Sequence, residues 1–292
     1  MQSQAALESA RTYTLKNDHY TIAVNSFGAE LKSFTYQNEE YLYAGDTKYW
    51  GKSSPVLFPI VGKLKDNSYT YQGKDYSLPI HGLARDNLFS LVHQSENELA
   101  FRLRHSSQSL SIYPFSFELT LTYRLKADRL VINYQVSSSE DILFSLGAHP
   151  AFLLKAEIDD SYIKFSESEN SNSLALDIPS GCISDQSLVR LNSNQLDLHQ
   201  RIFEKDAVIF KDVNSNEVSL HNTVNKKSVS VKFDGFEYIA FWAPLDAPFV
   251  CIEPWCGIAD HVDSNQKLED KPAIIKLNKD QIFSRSLEIS IV

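Results

Sequence analysis

Apolar and polar residues alternate along much of this chain, and the pattern is clearest in its middle third. Every second side chain is apolar from Phe117 to Leu125, and again from Leu130 to Val136. A period of two is typical of a β-strand with one buried face. The polar residues 126–129 separate the two runs, so this stretch predicts a β-hairpin.

Shorter runs of the same kind occur along the rest of the chain. They are bounded by Asn, Asp, Ser, Gly or Pro, which favour turns. These runs lie at 20–24, 208–210, 218–220, 228–233, 238–242, 249–253 and 287–292. No apolar stripe with helical spacing extends beyond about three turns, which argues against alternating strands and crossover helices. The pattern therefore predicts an all-β fold, a large antiparallel β-sandwich.

The composition supports this prediction, because the chain has 17 Phe, 14 Tyr and 3 Trp but a single Met. Aromatic and β-branched side chains pack well on pleated sheets. No repeat of about 20–50 residues and no linker rich in Pro, Gly or Ser divides the chain. The polar segment 166–173 is interpreted as an exposed loop, since strand-like runs continue on both sides. We expect a single domain over residues 1–292, with about residues 1–10 disordered.

The charge and the cysteines exclude several classes of function. A net charge of −9 argues against a nucleic-acid partner, because such proteins need clustered Lys and Arg. Cys182, Cys251 and Cys256 form no C-x-x-C pair, so neither a disulfide framework nor a structural zinc site is expected. Residues 1–15 lack the apolar core of a signal peptide, and no stretch approaches the ~20 apolar residues of a membrane span. We therefore expect a cytoplasmic protein with no membrane partner.

Two histidines lie in segments whose backbone the sequence constrains. His149 precedes Pro150 at the end of an apolar run, and a residue before proline is held in an extended conformation. His81 lies between Pro79-Ile80 and Gly82, residues typical of a fixed turn. The other histidines are interpreted as surface residues or as satisfied core residues. His81 and His149 are therefore candidates for chemistry.

Glu253 is the third candidate. It follows the apolar run 249–252, precedes Pro254, and by strand alternation shares a sheet face with Cys251. Burial among apolar neighbours raises the proton affinity of a carboxylate, which suits a general base. The same residue could instead lie on an edge strand and reach solvent, or form a structural ion pair with Arg or Lys.

Five short motifs occur in a fixed order and together resemble one family. They are SFGAEL at 26–31, PVLFPIVGK at 55–63, HGLAR at 81–85, GAHPAF at 147–152 and IEPWCG at 252–257. The set resembles the aldose 1-epimerases, the galactose mutarotase-like family, and within it the LacX-like branch. The resemblance spans nearly the whole chain and implies the family's large β-sandwich, its supersandwich fold. It also implies an isomerase that interconverts the α and β anomers of an aldose without a metal or an organic cofactor.

The resemblance implies a role for each residue of the catalytic set. Glu253 matches the glutamate that opens the E-P-W-x-G segment and is implied to be the general base. His149 matches the histidine of the G-x-H-x-x-F segment and is implied to be the general acid towards the ring oxygen. His81 matches the H-G histidine, which contacts the sugar near that oxygen.

Three further residues are implied to contact the substrate. Arg85 belongs to an H-G-x-A-R form that resembles the hexose-6-phosphate epimerases and LacX-like proteins more than the galactose mutarotases. Lys63 stands where many relatives carry Arg after Gly, and it is a candidate donor to sugar hydroxyls. Asp206 is matched to an aspartate that orients those hydroxyls. The implied ligand is a small sugar or a sugar phosphate.

Whether the ligand carries a phosphate depends on the charge around the pocket. Arg85 with Lys52, Lys63 and Lys65 could form a cationic rim that binds a hexose 6-phosphate. Arg85 could equally pair with Asp86 and brace its own turn. The sequence leaves open which aldose is bound and which oligomer the chain forms.

Two rival functions are compatible with some of these residues. A catalytically silent carbohydrate-binding protein would use the same fold, although the acid–base set counts against it. A metal hydrolase could use His81, His149 and Glu253 as zinc ligands. No H-E-x-x-H or other compact metal motif contains them, so no metal is expected.

Overall fold

The fold is taken from a computed structural model that describes residues 8–292. The expected disorder over about residues 1–10 falls mostly on residues 1–7, which lie outside the described residues. None of the helices within residues 8–292 has the length and apolar character needed to cross a membrane.

Strands dominate the described part of the chain. In chain order they are β1 (Thr12–Lys16), β2 (Tyr20–Asn25), β3 (Glu30–Tyr36), β4 (Glu39–Glu40), β5 (Val56–Leu57), β6 (Ser68–Tyr71), β7 (Lys74–Ser77), β8 (Ser90–Gln94), β9 (Glu98–Arg104), β10 (Glu118–Leu125), β11 (Leu130–Ser137), β12 (Ile142–Phe144), β13 (Leu146–Ala148), β14 (Ala151–Leu153), β15 (Ser161–Phe165), β16 (Ser171–Asn172), β17 (Ala175–Asp177), β18 (Cys182–Ser184), β19 (Arg190–Leu191), β20 (Gln195–Asp197), β21 (Val208–Lys211), β22 (Glu217–Asn222), β23 (Val229–Lys232), β24 (Tyr238–Trp242), β25 (Phe249–Cys256), β26 (Ile275–Leu277) and β27 (Ile282–Ile291). The helical elements that lie wholly within the described residues are all short. They are the α-helix α1 (Ser107–Leu110) and 3-10 turns at Lys65–Asn67, Ala84–Asp86, Ile158–Asp160, Gln200–Phe203 and Leu268–Asp270.

Two large antiparallel sheets form the body of the protein. The larger has nine strands in the order β20-β15-β22-β23-β27-β11-β10-β9-β8, and the smaller has the order β21-β24-β25-β13-β5 with β14 also paired to β25. Phe165 of the larger sheet contacts Phe210 and Phe241 of the smaller one, with ring centroids 6.3 and 5.9 Å apart. All three rings are buried, so the main core lies between the sheets.

Smaller sheets extend this sandwich. Strands β1 to β4 form a four-stranded sheet, and β6-β7, β12-β26, β16-β19 and β17-β18 form two-stranded ones. Tyr13 of β1 packs on Phe101 of β9 with centroids 5.5 Å apart, and the hydroxyl of Tyr123 in β10 donates to the carbonyl of Ala29 at 2.5 Å. These contacts attach the four-stranded sheet to one end of the nine-stranded sheet.

Each strand-like run found in the sequence coincides with a strand, whereas most of the shorter strands carry no such pattern. The hairpin is confirmed, because β10 and β11 pair in a register that places Leu125 opposite Leu130. The prediction of an exposed loop at 166–173 is wrong in part, because residues 171–172 form strand β16 and Ser173 is buried. Glu169 is buried, and its carboxylate accepts hydrogen bonds from the backbone N–H groups of Asn214 and Ser215, both at 2.9 Å. Those bonds satisfy the carboxylate and fix the loop.

Candidate active site

Strand β25 carries the site on the face that points away from the main core. Val250 and Ile252 belong to that core, whereas Cys251 and Trp255 belong to smaller apolar clusters on the opposite face. Strand alternation places Glu253 on the second face too, as the sequence predicted. Because β25 lies inside the sheet and is buried along its whole length, the edge-strand alternative for Glu253 is wrong.

The segment that carries His149 lies beside this face. Strands β13 and β14 both pair with β25, the first with Gly147 opposite Trp255 and the second with Ala151 opposite Cys251. Continuing that register across Pro150 places His149 opposite Glu253. The sheet therefore brings together two side chains that are far apart in sequence.

A cavity of about 340 Å³ opens on this face. All six residues singled out in the sequence line it: Lys63, His81, Arg85, His149, Asp206 and Glu253. The remaining lining residues are Trp50, Gly62, Ile80, Leu176, Gly181, Ala207, Ile209, Trp242, Trp255 and Ala259. A mostly apolar concave wall with a few convergent polar groups is typical of a small-molecule site.

The closest charged pair in the cavity joins Nε2 of His149 to Oε2 of Glu253 at 3.1 Å. Both side chains are almost fully buried, and Oε2 accepts no hydrogen bond from any described residue. Burial raises the pKa of Glu253 well above its usual range, and the charge of Asp206 raises it further, while a polar contact with Trp255 opposes both. The carboxyl group therefore binds a proton far more readily than an exposed glutamate does.

Aromatic rings surround the His149 imidazole. Trp50 stacks on it with centroids 4.6 Å apart, and Trp242 meets it edge-on at 5.9 Å. Burial lowers the pKa of His149 to about 3, with a smaller contribution from the positive charge of Arg85, although a backbone hydrogen bond opposes the shift. Burial thus favours the uncharged forms of both His149 and Glu253.

His81 sits in a turn that fixes both its backbone and its proton. Its φ is 63°, and it exchanges two contacts with Gly62: its N–H donates to the Gly62 carbonyl at 2.8 Å, and its Nδ1 accepts from the Gly62 N–H at 3.1 Å. Since Nδ1 is an acceptor, the neutral ring carries its proton on Nε2. Burial lowers the pKa of His81 well below its usual value, and His149 and Arg85 lower it further. His81 is therefore a neutral donor.

The turn is held by the glycine that follows His81. Gly82 has a φ of +75°, and a Cβ at this position would lie 2.4 Å from the carbonyl oxygen of Phe58. No other residue fits there without moving the backbone. The sequence prediction of a constrained turn at His81 is therefore confirmed.

Arg85 keeps much of its capacity for a ligand. Its Nε lies 3.6 Å from Oδ2 of Asp86, which is ion-pair distance but too long for a hydrogen bond, and it has no other described partner. Lys52 forms the shorter contact with Asp86, at 2.8 Å. The alternative in which Arg85 pairs with Asp86 is thus present as an ion pair, although Lys52 makes the shorter contact with that carboxylate.

The remaining cationic and acidic candidates differ in their placement. The carbonyl of Lys63 accepts from the Asp260 N–H at 2.9 Å, which holds Lys63 at the cavity wall. Asp206 has a φ of 70° and is accessible through the cavity, and partial burial raises its pKa, opposed by a hydrogen bond from the Ala207 backbone. Among the described residues, the cavity lining does not include Lys52 or Lys65, two members of the predicted cationic rim. Lys65 instead donates to the Ser264 carbonyl at 3.3 Å.

Several lining residues were not singled out in the sequence. Trp50 and Trp242 supply two aromatic walls, and Leu176 and Ile209 supply an apolar one. Trp255, which lies in the IEPWCG motif, both lines the cavity and packs in an apolar cluster. No local motif marks Trp50, Trp242, Leu176 or Ile209, because their neighbours in sequence lie in ordinary turns and strands.

One group of side chains in the described residues has an arrangement compatible with a metal ion. His149, Cys251 and Glu253 each offer a ligand atom, and these atoms all lie within 4.8 Å of one another. The zinc set considered from the sequence contained His81 in place of Cys251. His81 is not part of the group.

The sequence and the fold are similar to those of known proteins. Residues 11–290 match the family model described as aldose 1-epimerase. "Protein LacX, chromosomal" of Lactococcus lactis subsp. lactis is 30% identical over 298 residues, which cover 96% of this chain and 99% of that protein. These matches confirm the resemblance found in the motifs.

Solved structures give the same result. A galactose mutarotase related enzyme from Lactobacillus acidophilus superposes with a TM-score of 0.91 at 30% identity, over 97% of both chains. A galactose mutarotase-like protein from Lactobacillus casei ATCC 334 has a TM-score of 0.89 at 26% identity, over 97% of this chain and 100% of that one. The predicted β-sandwich is therefore the galactose mutarotase-like fold.

Proposed function

This chain belongs to the aldose 1-epimerase family, and from that premise we propose that it interconverts the α and β anomers of a hexose or a hexose 6-phosphate. The observation that carries the proposal is the 3.1 Å separation of His149 Nε2 from Glu253 Oε2 inside a sugar-sized cavity. Anomer exchange needs one base and one acid acting on two oxygens that are bonded to the same carbon. Two groups this close together can reach both oxygens at once.

The proposed reaction needs only proton transfers and one ring opening. Glu253 accepts the proton of the C1 hydroxyl, and the electrons of that O–H bond form the carbonyl. The bond between C1 and the ring oxygen breaks, and His149 delivers a proton to the ring oxygen. Rotation about the C1–C2 bond presents the other face of the aldehyde, and ring closure returns both protons. Each positioned transfer is worth roughly 10²–10⁴-fold in rate.

The proton state of the pair follows from its burial. Burial raises the pKa of Glu253 and lowers that of His149, so a titratable proton shared by the pair resides on the carboxyl. The proposed opening step needs this proton on the imidazole. The proton on Glu253 therefore has to cross the 3.1 Å to His149 Nε2 as Glu253 takes up the proton of the sugar hydroxyl. The active form thus carries one titratable proton in addition to the N–H of the neutral imidazole.

The other polar groups hold the sugar in this scheme. The Nε2–H of His81 can donate to an oxygen of the bound sugar, because its Nδ1 is committed to Gly62. Asp206 can accept from hydroxyls, and Lys63 can donate to them. The Trp50 and Trp242 rings offer apolar faces to the C–H bonds of the sugar. None of these roles requires a cofactor.

The test is anomer exchange itself, followed by NMR on a panel of free and phosphorylated aldoses. Exchange well above the spontaneous rate for at least one hexose is the expected result. Binding of the same sugars without accelerated exchange would instead identify a catalytically silent carbohydrate-binding protein. The panel also identifies the substrate, because epimers at C2 and C4 differ only in hydroxyls that lie away from the reacting oxygens.

A further inference from the structure

We propose that His149, Cys251 and Glu253 form an inhibitory site for a thiophilic divalent cation, of which zinc is the best fit. Binding of the ion is independent of the activity proposed above, whereas its inhibitory effect rests on that proposed function. The ion would be a regulator or a poison of the enzyme and not a cofactor.

The geometry of the three side chains is close to that of a zinc site. Two ligands at ordinary zinc distances of ~2.0–2.1 Å are about 3.3 Å apart in a tetrahedral site. His149 Nε2 and Glu253 Oε2 are already 3.1 Å apart, and the Cys251 sulfur lies within 4.8 Å of both residues' ligand atoms. The sulfur has to move closer by side-chain rotation to reach the zinc–sulfur distance of about 2.3 Å.

The backbone holds these residues in place. Cys251 and Glu253 are two apart on the same face of the buried central strand β25. Ala151 pairs with Cys251, and the Ile252 N–H donates to the Pro150 carbonyl at 3.1 Å, so the His149 segment is fixed against that strand. A site built on paired strands is rigid, which lowers the cost of ordering the ligands.

An unsatisfied polar atom marks this place independently. Oε2 of Glu253 is buried and has no hydrogen-bond partner among the described residues. An unpaired buried polar atom costs free energy, so a cation that reaches the carboxylate recovers part of it. His149 and Glu253 also line the cavity, which gives the ion a path from solvent.

The ligand set selects the metal. A thiolate, an imidazole and one carboxylate suit zinc, whereas magnesium and calcium prefer oxygen ligands alone. Binding replaces the proton of the Cys251 thiol and the proton of the Glu253 carboxyl, and both protons leave to solvent. The fourth position faces the cavity and takes a water molecule. With zinc bound, neither Glu253 nor His149 can transfer a proton, so anomer exchange stops.

The experiment measures zinc binding directly, by calorimetric titration of the purified protein with zinc chloride. The parent should bind one zinc ion, and Cys251→Ala should bind it at least roughly tenfold more weakly, because one of three protein ligands is lost. Cys256→Ala is the matched control, since Cys256 lies on the same strand but its thiol contacts the Gly235 carbonyl at 3.7 Å. This control should bind zinc like the parent. Magnesium chloride should show no binding at the same concentrations.

A second measurement uses cobalt as a spectroscopic probe for the sulfur. A thiolate–cobalt bond gives a charge-transfer absorption, which should appear with the parent and with Cys256→Ala but not with Cys251→Ala or Cys251→Ser. Because serine has a side chain of similar volume, loss of the absorption in the serine variant cannot be attributed to a packing defect. Absence of one-to-one zinc binding, or equal binding and equal absorption in the Cys251 variants, would overturn the proposal.

Measurements of anomer exchange separate this proposal from the proposed function. Cys251→Ala should retain anomer exchange and require at least about tenfold more zinc for half inhibition than the parent. Cys251-dependent zinc binding in a protein that exchanges no aldose would support the metal site while refuting the proposed function. Full exchange activity without zinc binding would support the proposed function and refute the metal site.

Discussion

The indole of Trp50 stacks on the imidazole of His149, with ring centroids 4.6 Å apart and planes inclined by 26°. This contact covers one face of the imidazole. Protonation of His149 would place a positive charge where water cannot solvate it, and burial is the main reason for its low pKa. Trp50 is thus positioned to set the protonation state of the proposed acid without taking part in the reaction.

Trp50→Ala should move the acidic limb of the pH–rate profile towards neutral pH. In the parent, a second proton joins the pair only as the pH falls through the His149 pKa of about 3, and activity is lost below it. Admitting water stabilises the imidazolium, so the pKa rises towards the ordinary 6.5 and activity is lost at higher pH. Profiles of kcat/KM against pH measure the shift, and Trp50→Phe should largely restore the parental limb. An acidic limb that stays in place in Trp50→Ala would refute this role.

The two cavity histidines should respond differently to the same substitution. His149→Asn should lower kcat by roughly 10²-fold or more, because the residue handles the ring-oxygen proton directly. His81→Asn should mainly raise KM, because the neutral His81 ring offers only a hydrogen bond to the sugar. Steady-state kinetics of both variants on one sugar test the order. A larger loss of kcat at His81 would require exchanging their roles.

A hexose 6-phosphate should be preferred over the free hexose. Arg85 lines the cavity with an Nε that has no hydrogen-bond partner among the described residues, and a guanidinium offers paired donors to phosphate oxygens. Arg85→Ala should remove most of the preference and spare activity on the free sugar. Lys65→Ala is the control, since Lys65 is engaged with the Ser264 carbonyl and should leave the preference intact. Equal kcat/KM for both sugars in the parent would contradict the phosphate assignment.

A buried ion pair beneath the cavity wall should contribute strongly to stability. Nζ of Lys271 lies 2.8 Å from Oδ1 of Asp260, and their side chains are only 1% and 3% exposed. Lys271→Met leaves the Asp260 carboxylate buried without a cation, which should lower the free energy of unfolding by about 3–5 kcal/mol. The double variant Lys271→Met, Asp260→Asn should recover much of the loss.

Urea unfolding measures these changes against a matched surface pair. Lys211 contacts Glu237 at 3.3 Å in an exposed position, so Lys211→Met should cost no more than about 1 kcal/mol. Similar costs for Lys211→Met and Lys271→Met would show that burial does not govern the energetics of the Asp260 pair.

Much of the fold and part of the site follow from the sequence. Alternation predicted the β10-β11 hairpin because its two strands are adjacent in the chain and have one buried face each. The approach of His149 to Glu253 depends on the pairing of β13 and β14 with β25, which the motifs mark only through family resemblance. Alternation also placed Cys251 on the face of Glu253, but gave no sign that its thiol lies beside the imidazole.

The parts that the sequence missed depend on long-range contacts. Trp50 has no motif around it, and its stacking on His149 joins residues almost a hundred positions apart. The cationic rim was overpredicted, because nearness in sequence to the 55–63 motif does not make Lys52 or Lys65 point into the cavity. Glu169 looked exposed because its neighbours are polar, yet the 214–215 turn buries it.

The role of Glu253 as the base is the central claim, and Glu253→Gln isolates it. The amide keeps the shape of the carboxyl but cannot accept the proton, and it removes a buried titratable group rather than adding one. The fold should therefore persist, as circular dichroism and thermal unfolding can verify. Glu237→Gln, the same substitution outside the cavity lining, is the control and should exchange anomers like the parent.

The most direct measurement is the rate of anomer exchange by NMR for the parent and for Glu253→Gln, on the best sugar of the panel and at saturating concentration. The account predicts a loss of at least about 10²-fold with sugar binding largely retained, because the variant lacks only the proton acceptor. A folded, sugar-binding Glu253→Gln protein that turns over within a few-fold of the parent would contradict it.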